Sequence, residues 1–456
     1  MIDSKELVRQ AAKLADEGKP DDAMAVVNRV LLDEPDNCGA LYVACSVMLE
    51  AARHVQGIQL AKRICEVKPR DPRGWTLLCL LYGELHKYDE SIRHAERAMA
   101  LQRNATTLAA GAYAHLNGGN WDLADRLSLE AISMAKGDES QAAKDALRDA
   151  LRHQAYIRLA KKDWRSGFEG YRLTLRTKWR KERQYGDSVE WSGEEDAVVI
   201  VTGEQGVGDE IMAASVIPDA AKACKQFIFD CDERLATLFQ RSFPNVIVTG
   251  SRRSESLVLP VMPTHHKALF GLCELFRTDD DQFPRQPYLV PDPELVRMFR
   301  SLFDGRRVVG VAWSGGLPRT GMEQRKAGVN AFLPLIRRGG AEFVSLEYKD
   351  DEAEVRQFEA QHGIRVRRLP WVTQGRDLDL LAGLIAACDE VVGVATASLH
   401  MASALGVPTT VIANRGLGWA FAPDEMLWYP PTTKLWRKRS GESWRDCVNR
   451  LVETRK

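Results

Sequence analysis

Four segments of the first third of the chain align with one another: "KPDDAMAVVNRVLLDEP", "HVQGIQLAKRICEVKP", "KYDESIRHAERAMALQ" and "NWDLADRLSLEAISMA". In register they place a small residue at Ala23, Gly57, Ser91 and Ala124, at intervals of 34, 34 and 33 residues. Pro35 and Pro69 also stand 34 residues apart, each where a helical pattern must stop. The match is closer in the first and third segments than in the second and fourth. A unit of this length cannot bury its own apolar face, so successive units must stack into a continuous core.

Two amphipathic helices every 34 residues is the tetratricopeptide signature. The small residues fall where two helices of a unit must cross closely. Residues 1–137 are therefore expected to form a short helical solenoid, whose concave face typically takes an extended peptide. The whole chain has 456 residues, too many for one core. Its 63 basic and 63 acidic residues cancel, so no global field draws it to nucleic acid or an anionic membrane. The segment "MIDSKELVRQ" lacks the apolar core of a secretory signal. The least polar stretch, "VVGVATASLHMASALGVPTTVIA", contains His, Ser, Thr, Gly and Pro, and reads as a buried strand–helix–strand rather than a membrane span. Nine scattered cysteines without a CxxC pair read as buried thiols in a reducing cytoplasm.

Residues 138–191 stay helical in pattern but lose the period and are expected to link the repeats to the C-terminal region. Arg172, Arg176, Lys178, Arg180, Lys181 and Arg183 form a basic run there, read as a solvated face or an interdomain contact rather than a nucleic-acid site. After Trp191 the texture changes. "AVVIVT", "FIFDC", "NVIVTG" and "LVLPV", then "RVVGVAW", "EFVSLEY", "IRVRRL", "EVVGV" and "TTVIA", alternate with helical patterns. Apolar strands spaced by helices predict parallel α/β sheets. Two such series, divided by "FPRQPYLVPDPE", predict two Rossmann-like lobes, 192–300 and 301–456, the latter ending in a helix.

Ligands of such sheets bind beyond the carboxyl ends of the strands. In the second lobe, "EVVGVATASLH" predicts a strand, a hydroxylic turn and a helix start. Thr396 and Ser398 either cap that helix or yield its free N–H groups to a diphosphate, and His400 is either a ligand or a core histidine. Ser314, Gly315 and Arg325, in "AWSGGLPRTGMEQRK", make a second candidate phosphate clamp. In the first lobe, "TGEQGVGDEI" has neither dinucleotide nor P-loop spacing and carries Glu204, Asp209 and Glu210. Its glycines, Gly206 and Gly208, would admit a substrate to the backbone beside Glu204 and Gln205. Asp209 either accepts a proton or caps the adjoining helix. His265–His266 is expected in a proline-bounded loop, as a surface pair or as a contact to the acceptor. No His/Cys/Asp spacing suggests a metal.

The ordered motifs "GEQGVGDEI", "VGVAWSGG", "FVSLE", "DLDLLAGLIAACDEVVGVATASLHMASALGVP" and "WYPPTTKLWRKRSGESW" resemble the tetratricopeptide-linked glycosyltransferases similar to lipopolysaccharide heptosyltransferases, which adopt the GT-B fold. "GFEGYRLTLR" and "VEWSG" resemble their linker. The resemblance implies a nucleotide-diphosphate sugar as donor, no tightly bound cofactor, and a cytoplasmic enzyme. Its protein acceptor, flagellin or another surface protein, would be held by the repeats. It assigns Asp209 as the base, Thr396 and His400 to the donor's phosphates and sugar, and Ser314 and Arg325 to phosphate contacts. Transfer with inversion is expected. Two positions depart from the family: Ala395 replaces an aspartate, and Glu347 stands where related chains often have glutamine. Ala395 keeps open a non-catalytic nucleotide-sugar-binding adaptor; a heptosyltransferase acting on lipopolysaccharide is the other alternative.

Overall fold

The computed structural model describes residues 3–175, 180, 183–254, 259–316, 322–414, 418–421, 424–439 and 441–455, the side chains of 323 and 324 excepted. Two compact units emerge: Met1–Ile157 with Pro318–Glu323, and Arg158–Leu317 with Gln324–Lys456.

The first unit contains four helix pairs: Ser4–Asp16 with Pro20–Asp33, Cys38–Glu50 with His54–Val67, Pro72–Glu84 with Tyr88–Leu101, and Ala105–Asn117 with Trp121–Ala135. The 34-residue period is legible in three further ways. Asp3, Asn37, Asp71 and Asn104 each accept a backbone N–H at the start of the first helix of a pair. Gly18, Ala52, His86 and Gly119 turn the chain between helices with positive φ, from 57° to 79°. Ala52 and His86 lack glycine's freedom and hold that conformation at a cost of about 1 kcal/mol each. The small residues Ala23, Gly57, Ser91 and Ala124 are all buried. A methyl on Gly57 would stand 2.8 Å from Leu81 Cδ2, which explains why a small residue recurs there.

The second unit contains two five-stranded sheets, parallel throughout. The first comprises β1 (Val189–Glu190), β2 (Val198–Thr202), β3 (Gln226–Asp230), β4 (Ile247–Thr249) and β5 (His265–Ala268), in the order β1-β5-β2-β3-β4. The second comprises β6 (Val308–Ala312), β7 (Glu342–Ser345), β8 (Glu390–Val394), β9 (Thr409–Ala413) and β10 (Thr433–Arg437), in the order β10-β9-β8-β6-β7. β6, β8 and β9 are apolar and buried along nearly their whole length, as strands covered on both faces must be. Strand order reverses between β2 and β5 in one sheet and between β6 and β8 in the other. Those two switch points open a crevice at the carboxyl ends of the strands.

Three expectations need correction. "LVLPV" is not the strand beside β2: 255–258 lie outside the described residues, 259–261 are irregular, and His265–Ala268 takes that place. His265–His266 is consequently not a surface loop; His266 is buried in the sheet, its Nδ1 3.0 Å from Ser188 Oγ. A four-residue "HHKA" has no apolar alternation to announce it. "IRVRRL" makes only a bridge, Val344 to Arg367, because Arg367 and Arg368 turn to Glu342 and Asp351. β1 and β10 were not foreseen.

The helix Trp164–Arg172 packs into the second unit. Trp164 meets Phe283 at 4.6 Å between ring centres, and Phe168 stands edge-on to Trp419 and Trp428. In the basic run, Arg172 pairs with Glu190, Arg180 with Glu204 and Arg183 with Asp230. Arg176, Lys178 and Lys181 lie outside the described residues. All nine cysteines are free and eight are buried. Among the described residues no helix is long and apolar enough to cross a membrane, and no cluster of His, Cys, Asp and Glu could hold a metal.

Candidate active site

Both switch points carry a strand, a tight turn and a helix. After β2 the chain passes Gly203, Glu204, Gln205 and Gly206 into the helix Val207–Ala213. A Cβ at Gly203 would lie 2.5 Å from the Glu210 carboxylate, so this glycine makes room for Glu210. Glu210 is buried, accepts the Asp232 N–H at 2.8 Å and pairs with Arg252 at 2.9 Å. Burial nonetheless pushes its carboxyl up to about 7. Gln205 turns with φ of 62°, and its side-chain amide donates to the Tyr171 hydroxyl.

Glu204 faces inward. Its carboxylate accepts from Arg180 Nε at 2.6 Å, Arg180 Nη2 at 2.8 Å and the Phe270 N–H at 2.9 Å. Both partners are only 3% exposed. Arg180 also lies 4.2 Å from the centre of the Tyr171 ring. This ion pair ties the loop after helix Trp164–Arg172 to the β2 turn.

Asp209 occupies the third position of its helix and accepts the Gly206 N–H at 3.1 Å. One oxygen thus caps the helix, one of the two roles its sequence position allows. The side chain is half-buried. Burial raises its pKa above the usual aspartate range, against the opposing pull of the Gly206 N–H and the positive charge of Arg325. A raised carboxylate pKa is what a proton acceptor requires.

In the second lobe the helix Ala397–Ala404 follows β8, with Thr396 as its N-cap. The Thr396 side chain makes no capping bond, and its Oγ1 is buried without a partner. Ser398 instead donates to the Leu346 carbonyl at 3.4 Å. His400 is buried, its Nδ1 2.6 Å from the Tyr429 hydroxyl. Burial, then the nearby Arg325 charge, lowers its pKa to about 4, so its ring is neutral at pH 7. Arg325 Nη1 donates to the Ala395 carbonyl at 3.3 Å. Ala395 itself is buried, beside Leu399, Ser403 and Phe421.

The two turns of this lobe touch. A Cβ at Gly315 would lie 2.4 Å from Thr396 Cγ2, so only glycine lets the end of β6 approach the end of β8. Ser314 is less available than its sequence context suggests. Its N–H donates to Glu347 Oε1 at 2.7 Å, its hydroxyl to Glu347 Oε2, and the Trp313 N–H to Oε1 at 2.6 Å. Glu347, which sequence reasoning noted only as a departure, therefore organises this turn. Burial outweighs those three donors and pushes its carboxyl up to about 7.

The lobes meet at Gly208. A Cβ there would stand 2.9 Å from His400 Cδ2 and 3.3 Å from Ala397 Cα. Helix Val207–Ala213 of one lobe thus packs on helix Ala397–Ala404 of the other, and Tyr288 braces the junction by donating to the Ile211 carbonyl at 2.9 Å while stacking on Tyr429. Asp209, Arg325, Thr396 and His400 converge here. Glu204 and Ser314 are held by Arg180 and Glu347, and Gly208 serves helix contact.

No family model matches the chain. Protein FlbA of Caulobacter vibrioides is 26% identical over 450 residues, which span 92% of this chain and 73% of that protein. Among solved structures, the ADP-heptose lipopolysaccharide heptosyltransferase II of E. coli is similar over 57% of this chain and 97% of its own, with 18% identity and a TM-score of 0.40. A thermophilic TPR protein of Thermus thermophilus is similar over 37% of this chain and 89% of its own, with 16% identity and a TM-score of 0.33.

Proposed function

We propose that the chain is a glycosyltransferase that moves a sugar from a nucleotide-diphosphate donor to a hydroxyl of a protein acceptor recruited by the repeats. The observation that carries this reading is the convergence of Asp209 from the β2 switch point with Arg325, Thr396 and His400 from the second sheet. A half-buried carboxylate of raised pKa lies near a cation, at the contact with a helix N-terminus whose Thr396 hydroxyl is unpartnered. In the reaction Asp209 takes the proton of the acceptor hydroxyl. That oxygen bonds to the anomeric carbon from the face opposite the donor phosphate, and the bond to the diphosphate breaks, inverting the centre. Arg325 and the N–H groups at the start of helix Ala397–Ala404 stabilise the charge on the departing diphosphate, with the Thr396 hydroxyl donating to it. Neutral His400, fixed by Tyr429, presents its ring to the donor.

The test is Asp209→Asn. It keeps the Gly206 cap, since the amide oxygen still accepts, and is expected to retain nucleotide-diphosphate binding while transfer falls by at least 100-fold. Mass spectrometry of a co-expressed candidate acceptor, flagellin first, reads transfer; calorimetry reads binding. Unchanged transfer by the variant removes Asp209 as the base. Binding of nucleotide-sugars by the wild-type chain without hydrolysis or transfer across a panel of donors and acceptors would favour an adaptor, the reading Ala395 keeps open.

A further inference from the structure

The active site lies where the strands of the second sheet end. At the opposite edge, where they begin, a cavity of about 540 Å³ opens below the sheet. A five-residue strand puts these two edges roughly 17 Å apart, so the cavity is no extension of the site above.

Four cations border it: Arg307 before β6, Arg338 after the helix Leu333–Arg337, Lys434 on β10, and Arg455 after the helix Trp444–Glu453. Glu390, at the start of β8, is the one carboxylate in the lining, and it is shared by Arg307 at 3.1 Å and Arg455 at 2.5 Å. Arg338 donates to the Arg455 carbonyl at 3.1 Å and makes no ion pair among the described residues; neither does Lys434. Four positive charges against one negative leave an excess of three around a cavity that is partly open to solvent. Cations at helix C-termini are common, since the dipole favours them. That accounts for Arg338 and Arg455 but not for Lys434, which stands on a strand. The far wall is apolar, formed by Phe343, Trp436 and Leu451.

The geometry points to a second ligand site, for a phosphorylated organic molecule. Its phosphate lies between Lys434 and Arg338, and its body packs on the apolar wall. The volume is that of ordinary small-molecule sites, which pair an apolar lining with a few convergent polar groups. A cluster of Lys and Arg whose charge is not neutralised within the protein selects an anion. The apolar wall selects one carrying a body larger than the phosphate.

Calorimetry on the full-length chain at fixed ionic strength, with inorganic phosphate and phenyl phosphate as probes, tests this. Phenyl phosphate is expected to bind at least fivefold more tightly than inorganic phosphate. The double variant Arg338→Glu/Lys434→Glu is expected to weaken it at least tenfold. Lys434→Gln, a single change at an exposed strand position, is expected to weaken it about threefold and covers failure of the double variant to fold. The site is overturned if neither probe binds, if these variants bind as the wild type does, or if only Arg325→Ala weakens binding, which would put the phosphate in the site above. Equal affinity for the two probes overturns the organic body and leaves a plain phosphate site.

Discussion

Removing the Glu204 carboxylate asks whether the β2 turn is built by a buried ion pair or left open for substrate. Glu204→Ala would delete the acceptor of three N–H groups, two of them from Arg180 at 2.6 and 2.8 Å. Arg180 would keep its bonds to the Tyr171 carbonyl and the Thr174 hydroxyl, both at 2.7 Å. Its charge would remain buried with the Glu204 carboxylate gone. Orphaning one member of such a pair costs about 3–5 kcal/mol, whereas an exposed pair is worth less than about 1 kcal/mol. The 3% exposure of both side chains places this pair in the first class. With a urea slope of about 3 kcal/mol/M, a loss near 4 kcal/mol moves the unfolding midpoint of the second unit down by about 1.3 M. The double variant Arg180→Met/Glu204→Leu removes both charges and is expected to recover most of that loss, because apolar replacement of a buried pair is often close to neutral. Intrinsic tryptophan fluorescence during urea titration follows the transition, since Trp164, Trp419 and Trp428 lie in this unit. A midpoint for Glu204→Ala within about 0.3 M of wild type, which is about 1 kcal/mol at the same slope, refutes the reasoning. A raised acceptor KM in the same variant would then make Glu204 a substrate contact.

Two further changes test the packing around the site and in the repeats. Gly208→Ala would push a methyl to 2.9 Å from His400 Cδ2 and 3.3 Å from the Ala397 backbone. It is expected to cost about 1–3 kcal/mol and to slow transfer by separating helix Val207–Ala213 from helix Ala397–Ala404; an unchanged melting temperature and rate would contradict that contact. His153 is buried in the first unit with neither ring nitrogen partnered, and burial drops its pKa from 6.5 to about 3. A depressed histidine pKa means the unfolded chain binds the proton first. Its contribution is therefore full above pH 6.5, and up to about 5 kcal/mol is lost as pH falls toward 3. His153→Phe is expected to flatten this acid limb of the stability–pH curve, and a limb as steep as wild type would assign the acid loss to other groups.

The repeats were legible because their information is local. Every 34 residues the same cap, small residue and turn recur, so Asp3, Asn37, Asp71 and Asn104, or Ala23, Gly57, Ser91 and Ala124, can be found by spacing alone. Strands β2, β6, β8 and β9 were equally legible, since a strand buried on both faces is apolar throughout. β1, β5 and β10 were missed because "VE", "HHKA" and "TKLWR" carry too little apolar signal; pairing with neighbours makes them strands.

At the candidate site the division has the same cause. The two turns, the helix starts and the identities of Asp209, Arg325, Thr396 and His400 stand in the sequence, because each glycine-and-hydroxyl turn lies beside its own strand. Who partners whom does not. Arg180 and Glu204 are 24 residues apart, Ser314 and Glu347 are 33 apart, and Gly208 and His400 are 192 apart. Only the assembled sheets turn Glu204 and Ser314 inward onto counter-groups and make Gly208 a helix contact. Sequence determined which residues carry the chemistry, since side-chain type is local. Tertiary structure decided which of them remain available, since that depends on what burial and charge pairing have already claimed.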